Sequence, residues 1–185
     1  MAAARVKFQL DGSGPLFALN AGAEYGAAKR WPAERFVEAA AALHARTACR
    51  WVLLGGRADV PLAQDIATQL AARTSAATVT SVAGQTSLRE LCAVLKACAL
   101  VITNDTGPMH VAAALGTPVV VPFGSTSPEL TGPLSAPNLP HALVRGEAPC
   151  APCFLRECPV DFRCMKSISA QQIVEAASAV WRGSS

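Results

Sequence analysis

The chain has 185 residues, 51% hydrophobic and 16% charged, with a formal net charge of +3. That length and composition allow one domain with an ample buried core and exclude a disordered or fibrous chain. The slight positive charge, with no basic stripe, leaves no footprint for nucleic acid or another polyanion. The opening MAAARVKFQL lacks the long apolar core of a secretory signal and no run reaches the length of a membrane span, so a cytoplasmic address is expected. Seven cysteines without a signal peptide point to thiols or metal ligands rather than disulfides.

Residues 1–15 are expected to form an irregular extension, with one domain over 16–185. LFALN (Leu16 to Asn20) reads as a first buried strand, followed by the loop AGAEYGAAKRWP. Phe36, Val37, Ala40 and Leu43 then keep the 3.6-residue period of a helix. RWVLLGG (Arg50 to Gly56) is a second strand closed by glycines, and Asp59 opens a helix running to about Arg73. TVTSVAG is a weaker third strand. SLRE (Ser87 to Glu90) has the spacing of a capping box, ahead of Leu88, Leu91, Cys92 and Leu95 on one helical face. ALVIT (Ala99 to Thr103) is a short β-branched run of the kind buried on both faces of a parallel sheet. PMHVAAAL is a helix with Pro108 in its first turn, Gly116 closes it, and PVVVPF resumes a strand. Residues 124–140 carry too many Pro, Gly and Ser for regular structure. Ser169 and Gln172 form a second capping box for a last helix carrying Ile173, Val174, Ala177, Val180 and Trp181. Strands alternating with helices in this way predict an α/β, Rossmann-like, doubly wound parallel sheet. No G-x-G-x-x-G follows the first strand, which disfavours a nicotinamide dehydrogenase.

Between ALVIT and the next helix lie Asn104, Asp105, Thr106 and Gly107. Each of the first three is a good N-cap, and one cap would account for one of them. A polar turn at the C-terminal end of a parallel strand also aims free backbone N–H groups and the positive end of a helix dipole at one point, where a phosphate fits. Gly107 would let the backbone approach such a ligand closely, and Thr106 would add a hydroxyl.

Two stretches taken together, GAEYGAAKRWP (22–32) and NDTGPMHVAAALGTPVVVPFGSTSP (104–128), resemble the ADP-heptose:lipopolysaccharide heptosyltransferases, most closely those of type II. These are inverting GT-B enzymes of glycosyltransferase family 9. The resemblance runs from about Leu16 to Trp181 and covers the carboxyl-terminal, donor-binding half of that family. It implies a nucleotide-sugar-binding lobe for ADP-heptose, with no other cofactor, acting in lipopolysaccharide biosynthesis. The lipopolysaccharide core acceptor would be held by an amino-terminal lobe, at the cytoplasmic face of the inner membrane. Lys29 corresponds to a family lysine that offsets diphosphate charge, so it is the candidate catalytic residue and no metal ion is implied there. Asp105, Thr106 and Gly107 match diphosphate and sugar contacts, with the Asp105 carboxylate suited to sugar hydroxyls and Asn104 grouped with them. His110 matches a position near the diphosphate. Asp59 lies where Rossmann-like domains hold a ribose hydroxyl, or is a simple N-cap. Glu24 and Tyr25 fall in the loop facing the cleft, and Ser125 to Ser127 in the loop after PFG. Trp31 and Pro32 read as packing residues that fix the loop carrying Lys29. The family usually carries proline where this chain has Ala21 and Ala28, which implies a less rigid loop.

Cys150, Cys153, Cys158 and Cys164, in a Cys-rich loop over 148–166, have the spacing C-x2-C-x4-C-x5-C. The spacing is open to two readings, a zinc or iron–sulfur site and a surface loop of reduced thiols. Function likewise has two readings. One is the donor half of a metal-independent heptosyltransferase, and the other a stand-alone ADP-sugar-binding domain without turnover.

Overall fold

A computed structural model describes residues 2–134 and 141–182. In chain order the elements are α1 (Ala2–Lys7), β1 (Leu16–Asn20), α2 (Ala33–Thr47), β2 (Arg50–Leu53), α3 (Val60–Arg73), β3 (Val79–Ser81) and α4 (Leu88–Ala97). They continue with β4 (Leu100–Thr103), α5 (Gly107–Ala114), β5 (Val119–Phe123), α6 (Pro128–Thr131), β6 (Ala142–Arg145), α7 (Arg163–Lys166) and α8 (Ala170–Arg182). The six strands pair parallel in the order β3-β2-β1-β4-β5-β6. Every residue of β1, β4 and β5 is buried, which is why these strands read as continuous apolar runs rather than alternating ones.

Side chains alternate across the sheet and feed two cores. Phe17, Leu19, Trp51 and Leu53 pack with Phe36 and Leu43 of α2, Ile66 and Leu70 of α3 and Ile173 of α8. On the opposite face Ala18, Val52, Val101 and Val121 pack with Val94 and Leu95 of α4 and with Met109 and Ala112 of α5. Both capping boxes form. Ser87 Oγ accepts the Glu90 N–H at 3.3 Å while the Glu90 carboxylate accepts the Ser87 N–H at 2.8 Å. Ser169 and Gln172 exchange the equivalent pair at 3.2 and 2.8 Å.

Two expectations are corrected. Residues 1–15 are not irregular throughout: Ala2–Lys7 is a helix, and Ala4, Phe8 and Leu10 are buried in the second core. Lys7 Nζ lies 2.6 Å from Glu90 Oε1 and ties this segment to α4. Within 124–140 the chain forms α6, and just past that stretch β6, which the sequence reading did not foresee, pairs with β5 from Val120↔Ala142 to Phe123↔Arg145. Residues 135–140 of the stretch expected to be irregular lie outside the described residues.

The strand order reverses direction between β1 and β4, so the loops leaving these two neighbours diverge and open a crevice at their C-terminal ends. Asn20 and Thr103 stand side by side there, with Asn20 Nδ2 donating to Thr103 Oγ1 at 3.1 Å. Asn104, fully buried, spans the crevice floor. Its Oδ1 accepts the Trp31 N–H at 3.0 Å and its Nδ2 donates to Ala21 O at 2.7 Å. Replacing Asn104 by Ala strands a buried N–H and a buried C=O, so a loss of about 2 to 6 kcal/mol is expected, at roughly 1 to 3 per orphaned group. Urea denaturation followed by tryptophan fluorescence measures it. A variant of unchanged stability would show that Asn104 is spare for a ligand rather than a clamp.

Candidate functional site

The crevice is lined by Asn20, Gly22, Ala23 and Glu24 from the β1 loop, Gly55, Gly56 and Asp59 after β2, Thr86 and Leu91 at the start of α4, and Thr106 and Pro108 before and within α5. It encloses about 240 Å³. Of the residues expected at the site, Glu24, Asp59 and Thr106 meet here. Asp59 Oδ2 accepts the Gly56 N–H at 3.0 Å and so braces the 3₁₀ turn Arg57–Asp59, but the side chain makes no cap bond to α3. Its Oδ1 lies 3.8 Å from Arg30 Nη2. Asp59 stands in the crevice wall, while the reading of it as a simple N-cap is corrected, because its carboxylate bonds the turn ahead of α3 and not α3 itself.

Thr106 is the N-cap of α5 but makes no side-chain cap bond, and Pro108 occupies the first turn. Pro108 has no N–H and that of Met109 donates to Thr106 O at 3.0 Å, which leaves the Gly107 N–H for a partner outside the helix. Gly107 has ordinary backbone torsions, and a Cβ built on it would meet nothing within 4 Å. The fold does not demand glycine there, and the space in front of it is open.

Lys29 sits at the end of the 3₁₀ turn Ala27–Lys29 with its ammonium on Asp105. Nζ to Oδ2 is 2.8 Å, and the side chains are only 11% and 4% exposed. The same carboxylate oxygen accepts Thr126 Oγ1 at 2.7 Å and Thr131 Oγ1 at 2.8 Å. Thr126 was expected near the cleft. Thr131, on α6, carries no local signal in the sequence and comes into reach only through the fold. The Lys29 ammonium also lies 5.0 Å from the centroid of the Tyr25 ring, and the Arg156 guanidinium lies 5.1 Å from the same centroid. Tyr25 is thus in contact with two cations while 47% exposed.

Tyr25, Lys29, Asp105 and Gly107 lie outside the crevice lining, and Asn104, His110 and Ser125 stand apart from it too. Asn104 is used up in the clamp described above. His110 is exposed on α5 and outside the lining. Ser125 is buried to 1% and lines a different, smaller cavity beneath the Cys-rich loop, because the backbone turns inward after Phe123. On the far side of Thr126 a second, wider cleft of about 430 Å³ runs along Ser127, Pro128, Glu129, Arg145 and Gly146, with Arg145 and Glu129 ion-paired.

The Cys-rich loop is a strap laid over the loop that carries Lys29. Phe154 N–H donates to Ser125 O at 2.7 Å, and Ala28 N–H to Arg156 O at 3.0 Å. Arg156 Nε donates to Tyr25 O at 2.8 Å. Gly26 makes this approach possible, since a Cβ there would collide with Arg156 O. Within the strap, backbone N–H groups, first that of Val160 and then that of Phe162, hold the Cys158 thiol below its ordinary value. Burial pushes Cys164 up. Among the described residues no helix is long and apolar enough to cross a membrane.

The sequence matches the profile of glycosyltransferase family 9 (heptosyltransferase) over residues 1–162. It is 32% identical over 186 residues to lipooligosaccharide heptosyltransferase 2 of Campylobacter jejuni subsp. jejuni serotype O:2, an alignment covering 97% of this chain and 56% of that protein. Against lipopolysaccharide heptosyltransferase 2 of Escherichia coli it is 37% identical over 129 residues, 70% of this chain and 36% of the relative. The solved structure of E. coli ADP-heptose lipopolysaccharide heptosyltransferase II superposes with a TM-score of 0.82 at 30% identity, over 98% of this chain and 50% of that one. The chain thus spans about half the length of the relatives it matches, or less. With a profile match over most of its length and a six-stranded parallel sheet that superposes on one half of such an enzyme, the chain belongs to glycosyltransferase family 9, the heptosyltransferases.

Proposed function

We propose that this chain is the donor-binding half of an inverting, metal-independent heptosyltransferase that uses ADP-heptose to build the lipopolysaccharide inner core. The complete enzyme would work in the cytoplasm at the inner membrane, and its acceptor would be held by an amino-terminal lobe. The nucleoside fits the crevice between Gly55, Asp59 and Thr86, with Asp59 and Glu24 available to hydroxyls. The diphosphate fits the start of α5, where the Gly107 N–H, the helix dipole and the open space at Gly107 all favour an anion. The observation that carries the reading is that this open helix terminus adjoins Asp105, which holds the Lys29 ammonium ready. The E. coli relative at 30% identity, an ADP-heptose enzyme by name, supports the choice of donor.

Lys29 can leave its partner without stranding it. Thr126 and Thr131 still donate to Asp105 Oδ2 when the ammonium swings away, so the penalty for a buried unpaired carboxylate is softened. A diphosphate carries more charge than one carboxylate and draws the ammonium across. There the lysine stabilises the charge that grows as the heptosyl–phosphate bond breaks, the role a metal ion plays in other transferases. Asp105, left with two hydroxyl donors, can then accept a hydroxyl of the sugar.

Calorimetry on the 185-residue chain tests the binding half of this reading. ADP and ADP-heptose should bind weakly, and Lys29→Ala should lose about 1.5 to 3 kcal/mol, the worth of a hydrogen bond to a charged group. Lys29→Arg should keep part of it. Equal affinity for wild type and Lys29→Ala would refute the role of Lys29. Affinity should be the same with and without magnesium, and a strict magnesium requirement would point to another nucleotide-binding class.

Transfer needs an acceptor hydroxyl in line with the anomeric carbon, a base to take its proton, and exclusion of water. On the present reading the opposite lobe supplies them. Heptose incorporation into a heptose-deficient core acceptor is therefore expected to be absent with these 185 residues alone. It should appear when a polypeptide carrying the acceptor-binding lobe is added. Robust transfer by this chain alone would sink the half-enzyme reading. Binding of ADP with no transfer even when the second lobe is present would favour a stand-alone ADP-sugar-binding domain.

A further inference from the structure

The four cysteines of the strap, separated by as many as thirteen intervening residues in sequence, line one cavity of about 60 Å³. All four thiols are reduced. The cavity has room for about two waters at the liquid's 30 Å³ each and falls far below the several hundred Å³ of an organic ligand site. Apart from the thiols, its walls are mostly apolar: Ala28, Leu155, Pro159, Val160 and Phe162.

Two further observations point to an occupant. Ser125 Oγ, on a residue 1% exposed, lines this cavity and has no hydrogen-bond partner. A buried hydroxyl left unmatched is uncommon and calls for a water, an ion or a ligand beside it. Separately, the Phe162 N–H donates to Cys158 Sγ at 3.2 Å. A backbone N–H directed at sulfur is the kind of contact that holds a metal-bound cysteine in place.

We infer that Cys150, Cys153, Cys158 and Cys164 form a structural site for a soft divalent cation, zinc by preference, which staples the strap over the loop carrying Lys29. Thiolates are the soft ligands such ions select, and four of them close a tetrahedral shell with no open position for chemistry. As the chain stands, no three potential ligands among the described residues are grouped at metal-holding distance. The sulfurs ring the cavity, with Cys164 buried at its base and Cys150 exposed at its rim. One staggered step about χ1 moves a sulfur by roughly 3 Å, and a zinc–sulfur bond is about 2.3 Å. Closing the shell is therefore a matter of rotamers and small shifts in an irregular loop. Binding releases the thiol protons to solvent and involves no oxidation. Arg163, which also lines the cavity, offsets part of the negative charge of a tetrathiolate shell. The inference is independent of what the crevice binds.

The test is elemental analysis of the 185-residue chain purified without chelator. About one equivalent of zinc per chain is expected, falling to about a tenth or less in Cys153→Ser and Cys158→Ser. Cys92→Ser, on α4 and outside the strap, should retain the full equivalent. Cobalt(II) added to the chelator-stripped protein should give a sulfur-to-cobalt charge-transfer band, which reports thiolate ligation directly and needs no variant to fold. Trypsin should cut the stripped protein after Arg156 about tenfold faster than the loaded one, because opening of an unstapled strap limits cleavage. One equivalent of iron in place of zinc, lost in the same two variants, would support the site and change only its ion. Less than about a tenth of an equivalent of either metal combined with no cobalt–thiolate band would overturn the inference, as would full retention of the metal by Cys158→Ser.

Discussion

Two loops that leave neighbouring parallel strands in opposite directions open a crevice, but nothing in the strands themselves fixes one loop against the other. Asn104 supplies that constraint. It stands where β4 ends, and its one amide accepts from Trp31 and donates to Ala21 on the loop after β1. The Trp31 indole is held in turn by Ile168 O at 3.0 Å and by an edge contact with Phe36 at 4.9 Å. The backbone before and after Lys29 is thereby referenced to the end of β4, from which Asp105, Thr106 and Gly107 project. Each group offered to a ligand takes its position from this clamp. A carboxylate at position 104 would face the Ala21 carbonyl with no proton to share, so the amide is needed for its two opposite functions.

Electrostatics then decides how the crevice waits. A lysine left 11% exposed without a partner would carry a heavy desolvation penalty, and the Asp105 carboxylate removes most of it. A carboxylate matched only by that lysine would be stranded each time the ammonium moved. The two threonine hydroxyls, one from the loop after β5 and one from α6, prevent this. Three donors on one oxygen therefore describe a charge that can give up its strongest partner and stay satisfied. Contact with the exposed Tyr25 ring offers the ammonium a second surface along its way.

The central architecture was legible in the sequence because its signals are local. β1, β4 and β5 are apolar runs, α4 and α8 announce themselves through capping boxes, and the polar turn at 104–107 interrupts the pattern where a crevice was due. What escaped notice depends on contacts distant in sequence. Strand β6 is half-exposed and four residues long, so its pairing with β5 shows no alternation. Helix α1 is too short for periodicity and is held by packing on α4. Asn104 reads as a cap or a ligand contact, and only the position of Trp31, 73 residues away, reveals it as a clamp. Thr131 lies 26 residues from Asp105 in a segment rich in turn formers. Ser125 was placed with its neighbours Thr126 and Ser127 by proximity, yet the backbone bends at 124–126, and Ser125 takes the side of the cysteines while Thr126 and Ser127 face the second cleft.

The strap also bears on Ala28, one of the two positions where the sequence resemblance implies proline. Proline at position 28 would fix φ but could not donate to Arg156 O, because it has no N–H. Ala28 donates that bond at 3.0 Å and is buried to 2%, so tertiary hydrogen bonding takes over a stiffness that would otherwise be covalent. Gly26 fits the same exchange, since the carbonyl of Arg156 occupies the space where its Cβ would lie. Stiffness obtained in this way is conditional: it lasts as long as the strap stays down, whereas a proline ring is rigid in every state. The loop that carries Lys29 is therefore governed from two directions, by the sheet through Asn104 and by the strap through Arg156. Of the two, the strap has few apolar contacts and little regular structure, so it belongs to the low-stability end of the fold, where local opening begins.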